Sequence, residues 1–245
     1  MERVKKRMKI PLGATIKWNL RDPMCRTAWT ILTQGRGVKA RTARVEKLRS
    51  ILFKSLQTLG ITAMAATIER EAHDSVLDAW KEGMKYILQR LCIEMKERRA
   101  LIKGPRNYPF LEVIHDWPSG DQRVEDVFSS YVEAYEEGYG FFPGQLRELS
   151  PLRAMGACPC MLVTTVRYSY ALQVADMILG AIGDFIKQAV ANHISEHATH
   201  TTAHFGLIRD LLRKAGDGSV LGYGIIARKD SALRSALERA LSQNQ

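Results

Sequence analysis

Apolar positions along this chain fall into blocks of helical period separated by short β-like runs. Val45, Leu48, Leu52, Leu56 and Leu59 recur on one helical face, and Gly60 supplies a stop. Residues 61–68 form a short apolar run with the character of a buried strand. Val76, Trp80, Met84, Ile87, Leu91 and Met95 mark a second helix. Its opposite face carries Lys81, Arg90, Lys96, Arg98 and Arg99, a solvated side. Gly104-Pro105 breaks that run. Residues 110–115 read as a strand and Trp117-Pro118-Ser119-Gly120 as the turn after it.

Val124, Val127, Phe128, Tyr131 and Tyr135 predict a third helix, and residues 161–166 a further β-branched strand. Residues 171–182 are the most apolar helical stretch in the chain. Residues 205–214 and 230–241 read as helices, with 220–227 as an edge strand between them. Residues 1–40 are interrupted by Pro11, Gly13, Pro23, Gly35 and Gly37 and read as irregular.

Helices alternating with strands predict an α/β layer architecture, a mixed sheet with flanking helices. Its usual first strand or hairpin is missing, since the chain passes from a basic segment directly to a helix. The expected organisation is a basic, irregular segment over 1–40. A single α/β domain with a C-terminal helical extension follows over 41–245.

Charge changes this picture more than composition does. A chain of 245 residues with 46% hydrophobic and 25% charged residues has an ordinary globular composition. The net charge of +10 is concentrated at one end: residues 1–54 hold 15 Lys and Arg against 3 Asp and Glu. Such a segment attracts phosphate backbones, which makes nucleic acid the expected partner, with Lys17, Arg41 and Arg44 as candidate contacts. The competing reading is a solvated basic arm without a specific partner. No apolar run approaches the roughly 20 residues that cross a bilayer. The basic N-terminus lacks the apolar segment of a secretory signal, so a cytoplasmic location away from membranes is expected.

Cys25, Cys92, Cys158 and Cys160 show no disulfide-framework spacing. Cys158-Pro159-Cys160 reads as small buried residues leading into a strand.

Two carboxylates carry the candidate chemistry. Asp176 lies within the most apolar helix, where a charge is costly to bury unless it pairs, protonates or holds a metal. Gln173, Gly180 and Asp184 share its face, so a narrow polar stripe runs along the helix. That stripe either faces water or uses its charge, and Gly180 and Gly183 suit close packing on a neighbour. Asp116 ends the 110–115 strand, a position that suits either a ligand crevice or a turn carboxylate accepting backbone N–H bonds. Should the two converge, they form a hard oxygen site for Mg²⁺ or Mn²⁺ able to serve phosphodiester hydrolysis.

His193, His197, His200 and His204 stack on one face of any continuous helix, a spacing open to Zn²⁺. The threonines among them disfavour that helix, so a polar surface or interface stretch is the preferred reading. No phosphate-binding glycine loop, nucleophile elbow or metalloprotease motif occurs.

Leu172-Gln173-Val174-Ala175-Asp176, followed by small and apolar residues, resembles the C-terminal signature of a family catalogued as domain of unknown function 3800. Ile16-Lys17-Trp18 resembles that family's early segment, residues 61–68 its central strand and 86–91 its helix motif. Val113-Ile114-His115-Asp116 resembles its acidic strand end. The likeness spans roughly residues 14–185. It implies an RNase H-like fold with an acidic, metal-dependent nuclease-type site. Asp116 and Asp176 match two of the carboxylates of that site. The family's opening "DESG"-type strand has no counterpart in this chain, and Thr15 stands where the family has a Glu. The resemblance therefore implies a nuclease-like domain with an incomplete acidic site, or a binding protein on the same fold.

Overall fold

The computed structural model describes residues 1–69, 73–100, 111–118, 123–136, 152–191, 196–229 and 231–242. In chain order the elements are helices α1 (Glu2–Met8), α2 (Arg26–Thr33) and α3 (Val38–Leu56), strand β1 (Ala65–Thr67), helix α4 (Val76–Ala100) and strand β2 (Ile114–Asp116). Helix α5 (Val124–Glu136), strand β3 (Leu162–Thr164), helices α6 (Tyr170–Ala191) and α7 (Glu196–Arg209), strand β4 (Ile225–Ala227) and helix α8 (Ala232–Ser242) complete them. The chain divides into two compact units, one of residues 1–65 and 165–245, the other of residues 66–164.

The first unit is a helical assembly in which α6 packs on α7 and α8, and α3 packs on α7, α2 and α1. Leu48, Leu52, Phe53, Met177, Ala181 and Phe205 are among the residues buried at its centre. The rings of Phe185 and Phe205 stack with centroids 3.8 Å apart. Beside this core, the amide of Ala65 donates to the Gly224 carbonyl, where β1 and β4 pair.

The first 40 residues differ from the irregular arm expected of them. They hold α1, α2 and a 3-10 turn at Pro23–Cys25, and Val4, Met8, Ile10, Ile16, Leu20 and Leu32 enter the core. The reason lies in where the helix breakers sit. Asp22 caps the 3-10 turn by accepting from the Met24 amide at 2.8 Å, and Pro23 opens it. Gly35 adopts φ 67° between α2 and α3, and Gly37 is the N-cap of α3. These residues punctuate structure rather than abolish it. Even a basic residue is absorbed: Lys5 is fully buried, its Nζ donating to the Leu12 carbonyl at 2.8 Å and lying 4.5 Å from the Tyr170 ring centroid. Burial pulls its pKa below the usual lysine value.

The second unit has its own core, formed by Leu88, Cys92, Val127, Tyr131 and Leu152 with their neighbours. Strands β2 and β3 run parallel, Ile114 opposite Leu162 and Asp116 opposite Thr164. The Tyr131 hydroxyl donates to the Cys158 carbonyl at 2.5 Å, pinning α5 to the approach of β3. Cys158 and Cys160 do lead into β3, but Cys158 is half-buried and Cys160 exposed, so the pair is not the buried one expected.

The protein is thus mixed α/β, predominantly helical. Among the described residues the strands form two separate two-stranded sheets rather than one mixed sheet. No described helix is long and apolar enough to cross a membrane.

Candidate nucleic-acid interface

The polar stripe of α6 is largely covered by another part of the chain. The segment carrying Ile16-Lys17-Trp18 lies along it, and each polar residue of the stripe holds that segment. Gln173, buried, accepts from the Ile16 amide at 3.3 Å through Oε1 and donates to the Val166 carbonyl at 3.0 Å through Nε2. One Asp176 oxygen accepts from the Trp18 amide at 2.6 Å. An Asp184 oxygen accepts from the Trp18 indole Nε1 at 2.9 Å. A segment outside any sheet has no ladder to receive its N–H groups, and these side chains supply the acceptors. A charge-assisted bond of this kind contributes about 1.5–3 kcal/mol.

Gly180 completes the seat. A Cβ there would lie 2.0 Å from Cγ of Trp18, so only glycine lets the indole rest on the helix. On its other side Trp18 meets Arg49, whose guanidinium carbon is 3.6 Å from the ring centroid and whose Nη2 donates to the Trp18 carbonyl at 3.0 Å. Arg49 also donates to Glu46 at 3.1 Å, and Glu46 meets Nε2 of buried His204 at 2.8 Å. The His204 ring in turn stands nearly perpendicular to that of Trp18, centroids 5.8 Å apart. Burial lowers the pKa of Arg49, an effect opposed by Glu46 and Asp184.

Beside this assembly opens a cleft of about 570 Å³. Its lining includes two tryptophans, Trp18 and Trp29, and four cations, Arg21, Arg41, Arg49 and Lys187. Glu46 is the single carboxylate of the lining, and it is already engaged with Arg49 and His204. The Arg21 guanidinium lies 5.8 Å from the Trp29 ring centroid. A cleft with this balance attracts anions and offers a flat apolar face beside them.

The sequence-derived candidates separate accordingly. Arg41 lines the cleft. Lys17 instead pairs with Asp22 at 2.9 Å, and that hydrogen bond raises the lysine pKa and lowers that of Asp22. Arg44 sits half-buried on α3 and is not part of the cleft lining. Asp176 belongs to the first unit, where one of its oxygens accepts from the Trp18 amide. Asp116 belongs to the second, where it is exposed and accepts from the Trp117 amide at 3.0 Å. Among the described residues no group of three or more His, Cys, Asp or Glu is placed to hold a metal ion.

Of the histidines, His193 lies outside the described residues, as do the side chains of His197 and His200. These two positions are helical all the same, within α7. His204 is buried and commits Nε2 to Glu46, which corrects the surface reading for that residue.

Sequence reasoning missed Trp29, Arg21, Arg49 and Lys187. For Trp29, Arg21 and Arg49 the one signal was the positive charge of the first 54 residues, which located the region but not the residues, and that signal did not extend to Lys187 on α6. No family model matches this chain, and no curated protein or solved structure matches it either.

Proposed function

We propose that the chain binds nucleic acid through the cleft of its first unit. The observation that carries this reading is the lining itself: four cations against one already-paired carboxylate, with two tryptophans between them. Arg21 and Arg41 are exposed, and the Lys187 side chain is 82% exposed with only a long 3.9 Å pairing to Asp184, so all three can meet phosphates. Arg49 adds a fixed positive wall, held by its bonds to Trp18 and Glu46. The Asp176 and Asp184 carboxylates serve as struts that position Trp18.

Three phosphate contacts at about −0.7 each predict a log–log salt slope near −2 for single strands, and a somewhat steeper one for duplex. Fluorescence anisotropy with labelled single-stranded and duplex oligonucleotides between about 50 and 200 mM salt measures this. Arg41→Glu combined with Lys187→Glu should lower affinity by about tenfold or more at the low-salt end. Affinity indifferent to both salt and charge reversal would overturn the reading.

A second reading, a metal-dependent phosphodiester hydrolase on an RNase H-like fold, is favoured by one specific observation. Two of the segments that carry the family resemblance, Ile16-Lys17-Trp18 and Gln173 to Asp176, meet directly. It requires Asp116 and Asp176 to share Mg²⁺ or Mn²⁺. One Asp176 oxygen also accepts from the Trp18 amide. Asp176→Asn keeps an acceptor for the Trp18 amide while removing the charge. Loss of a Mn²⁺-dependent cleavage in both Asp176→Asn and Asp116→Asn, with the fold retained, supports this reading; cleavage surviving both substitutions ends it.

A further inference from the structure

We infer that the preferred ligand of the cleft is single-stranded nucleic acid, with one unpaired base stacked on Trp29 and the flanking phosphates on Arg21, Arg41 and Lys187. This rests on the nucleic-acid reading above and narrows it. The two tryptophans of the cleft are not equivalent. Trp18 is occupied on several sides: its Nε1 donates to Asp184, Arg49 covers a face at 3.6 Å, and His204 abuts its ring. Trp29 is half-buried, anchored against the core from α2, and the exposed Arg21 lies over its ring at the longer distance of 5.8 Å. A base can replace that guanidinium on the indole face, releasing Arg21 to a neighbouring phosphate.

Shape selects the strand form. A concave space of about 570 Å³ lies within the range that encloses a small aromatic ligand. In a duplex the faces of the bases are stacked inside the helix and cannot reach an indole that lines a cleft without being flipped out. An unpaired strand presents them at once, and any base suits, because each has a π-face. Sequence-tolerant binding is therefore expected.

The test compares a thymidine homopolymer with a blunt duplex of equal length by anisotropy on the full chain, and repeats it with Trp29→Leu and Trp29→Tyr. The single strand should bind at least about tenfold tighter than the duplex. Trp29→Leu should weaken single-strand binding by roughly 5- to 150-fold, the range found when a stacking aromatic is removed. Trp29→Tyr should recover most of it. Photocrosslinking of a 5-iodouracil homopolymer to the unmodified protein, with the adduct located by mass spectrometry, should place the crosslink at Trp29 and needs no variant to fold.

Equal affinity for both strand forms, or a crosslink mapping away from the cleft, overturns this inference. If Arg41→Glu with Lys187→Glu still weakens binding in that case, the broader nucleic-acid reading survives it. No binding to either strand form removes both.

Discussion

Asp176 and Asp116 looked equivalent as acidic candidates, yet their surroundings in the two units differ in kind. Asp176 projects from a long apolar helix and receives the amide of Trp18, 158 residues away in sequence, at 2.6 Å. Asp116 is exposed at the end of a three-residue strand and accepts from the amide of its immediate neighbour, Trp117. One carboxylate accepts from a backbone amide distant in sequence, while the other accepts from the amide of the next residue. A carboxylate in an apolar helix is tolerated here because an unladdered backbone segment needs its acceptor strength. A carboxylate at a strand end needs no such reason.

The sharpest way to break the comparison is to unseat Trp18. Gly180→Ala drives a methyl to 2.0 Å from the indole, and overpacking of that kind costs about 1–3 kcal/mol or more. The up to about 1 kcal/mol of helix propensity gained by replacing glycine offsets only part of it. Gly183, three residues on, has nothing within 4 Å of its Cβ position, so Gly183→Ala should instead stabilise by up to about 1 kcal/mol. Opposite shifts in denaturation midpoint for the two variants check the seat directly. Shifts of the same sign would deny it.

The carboxylates themselves come next in size. Asp176→Ala leaves the Trp18 amide without its acceptor and should cost about 1–3 kcal/mol. Asp116→Ala should stay within about 0.5 kcal/mol, as surface substitutions do. Urea titration of both variants measures the contrast. Equal losses would erase the distinction between tertiary strut and turn partner.

The smallest effect is a pH dependence of the same segment. Asp22 has a depressed pKa, held down first by its hydrogen bond with Lys17, so its contribution is present above the ordinary carboxylate value and fades as pH falls through the depressed one. Lys17 has a raised pKa, first because of the same bond, so its contribution is full below the ordinary lysine value and lost as pH rises through the raised one. Asp22→Asn should flatten the stability profile at both the acid and the alkaline edge, relative to the parent chain. The pair is partly exposed, so the change is expected to be modest.

The histidine stretch shows how far sequence reasoning reached. Three of its four positions fall within a helix despite their threonines, because α7 packs against α3 and α6, and tertiary contact outweighs local propensity. The partner of buried His204 is Glu46, whose own sequence neighbourhood announces nothing.

The chain by itself determined where most helices lie, because a 3.6-residue apolar period is a local property that packing then uses. Val76 to Met95 and Val124 to Tyr135 fall within α4 and α5, and Val45 to Leu56 within α3. It also determined that α6 carries a narrow polar stripe with a glycine at its centre. Only the tertiary structure decided what covers that stripe, which of two tryptophans is already engaged, and which cations border one cleft. Those outcomes depend on hydrogen bonds and ring contacts between residues up to 166 positions apart, and no local period encodes partners at such separation.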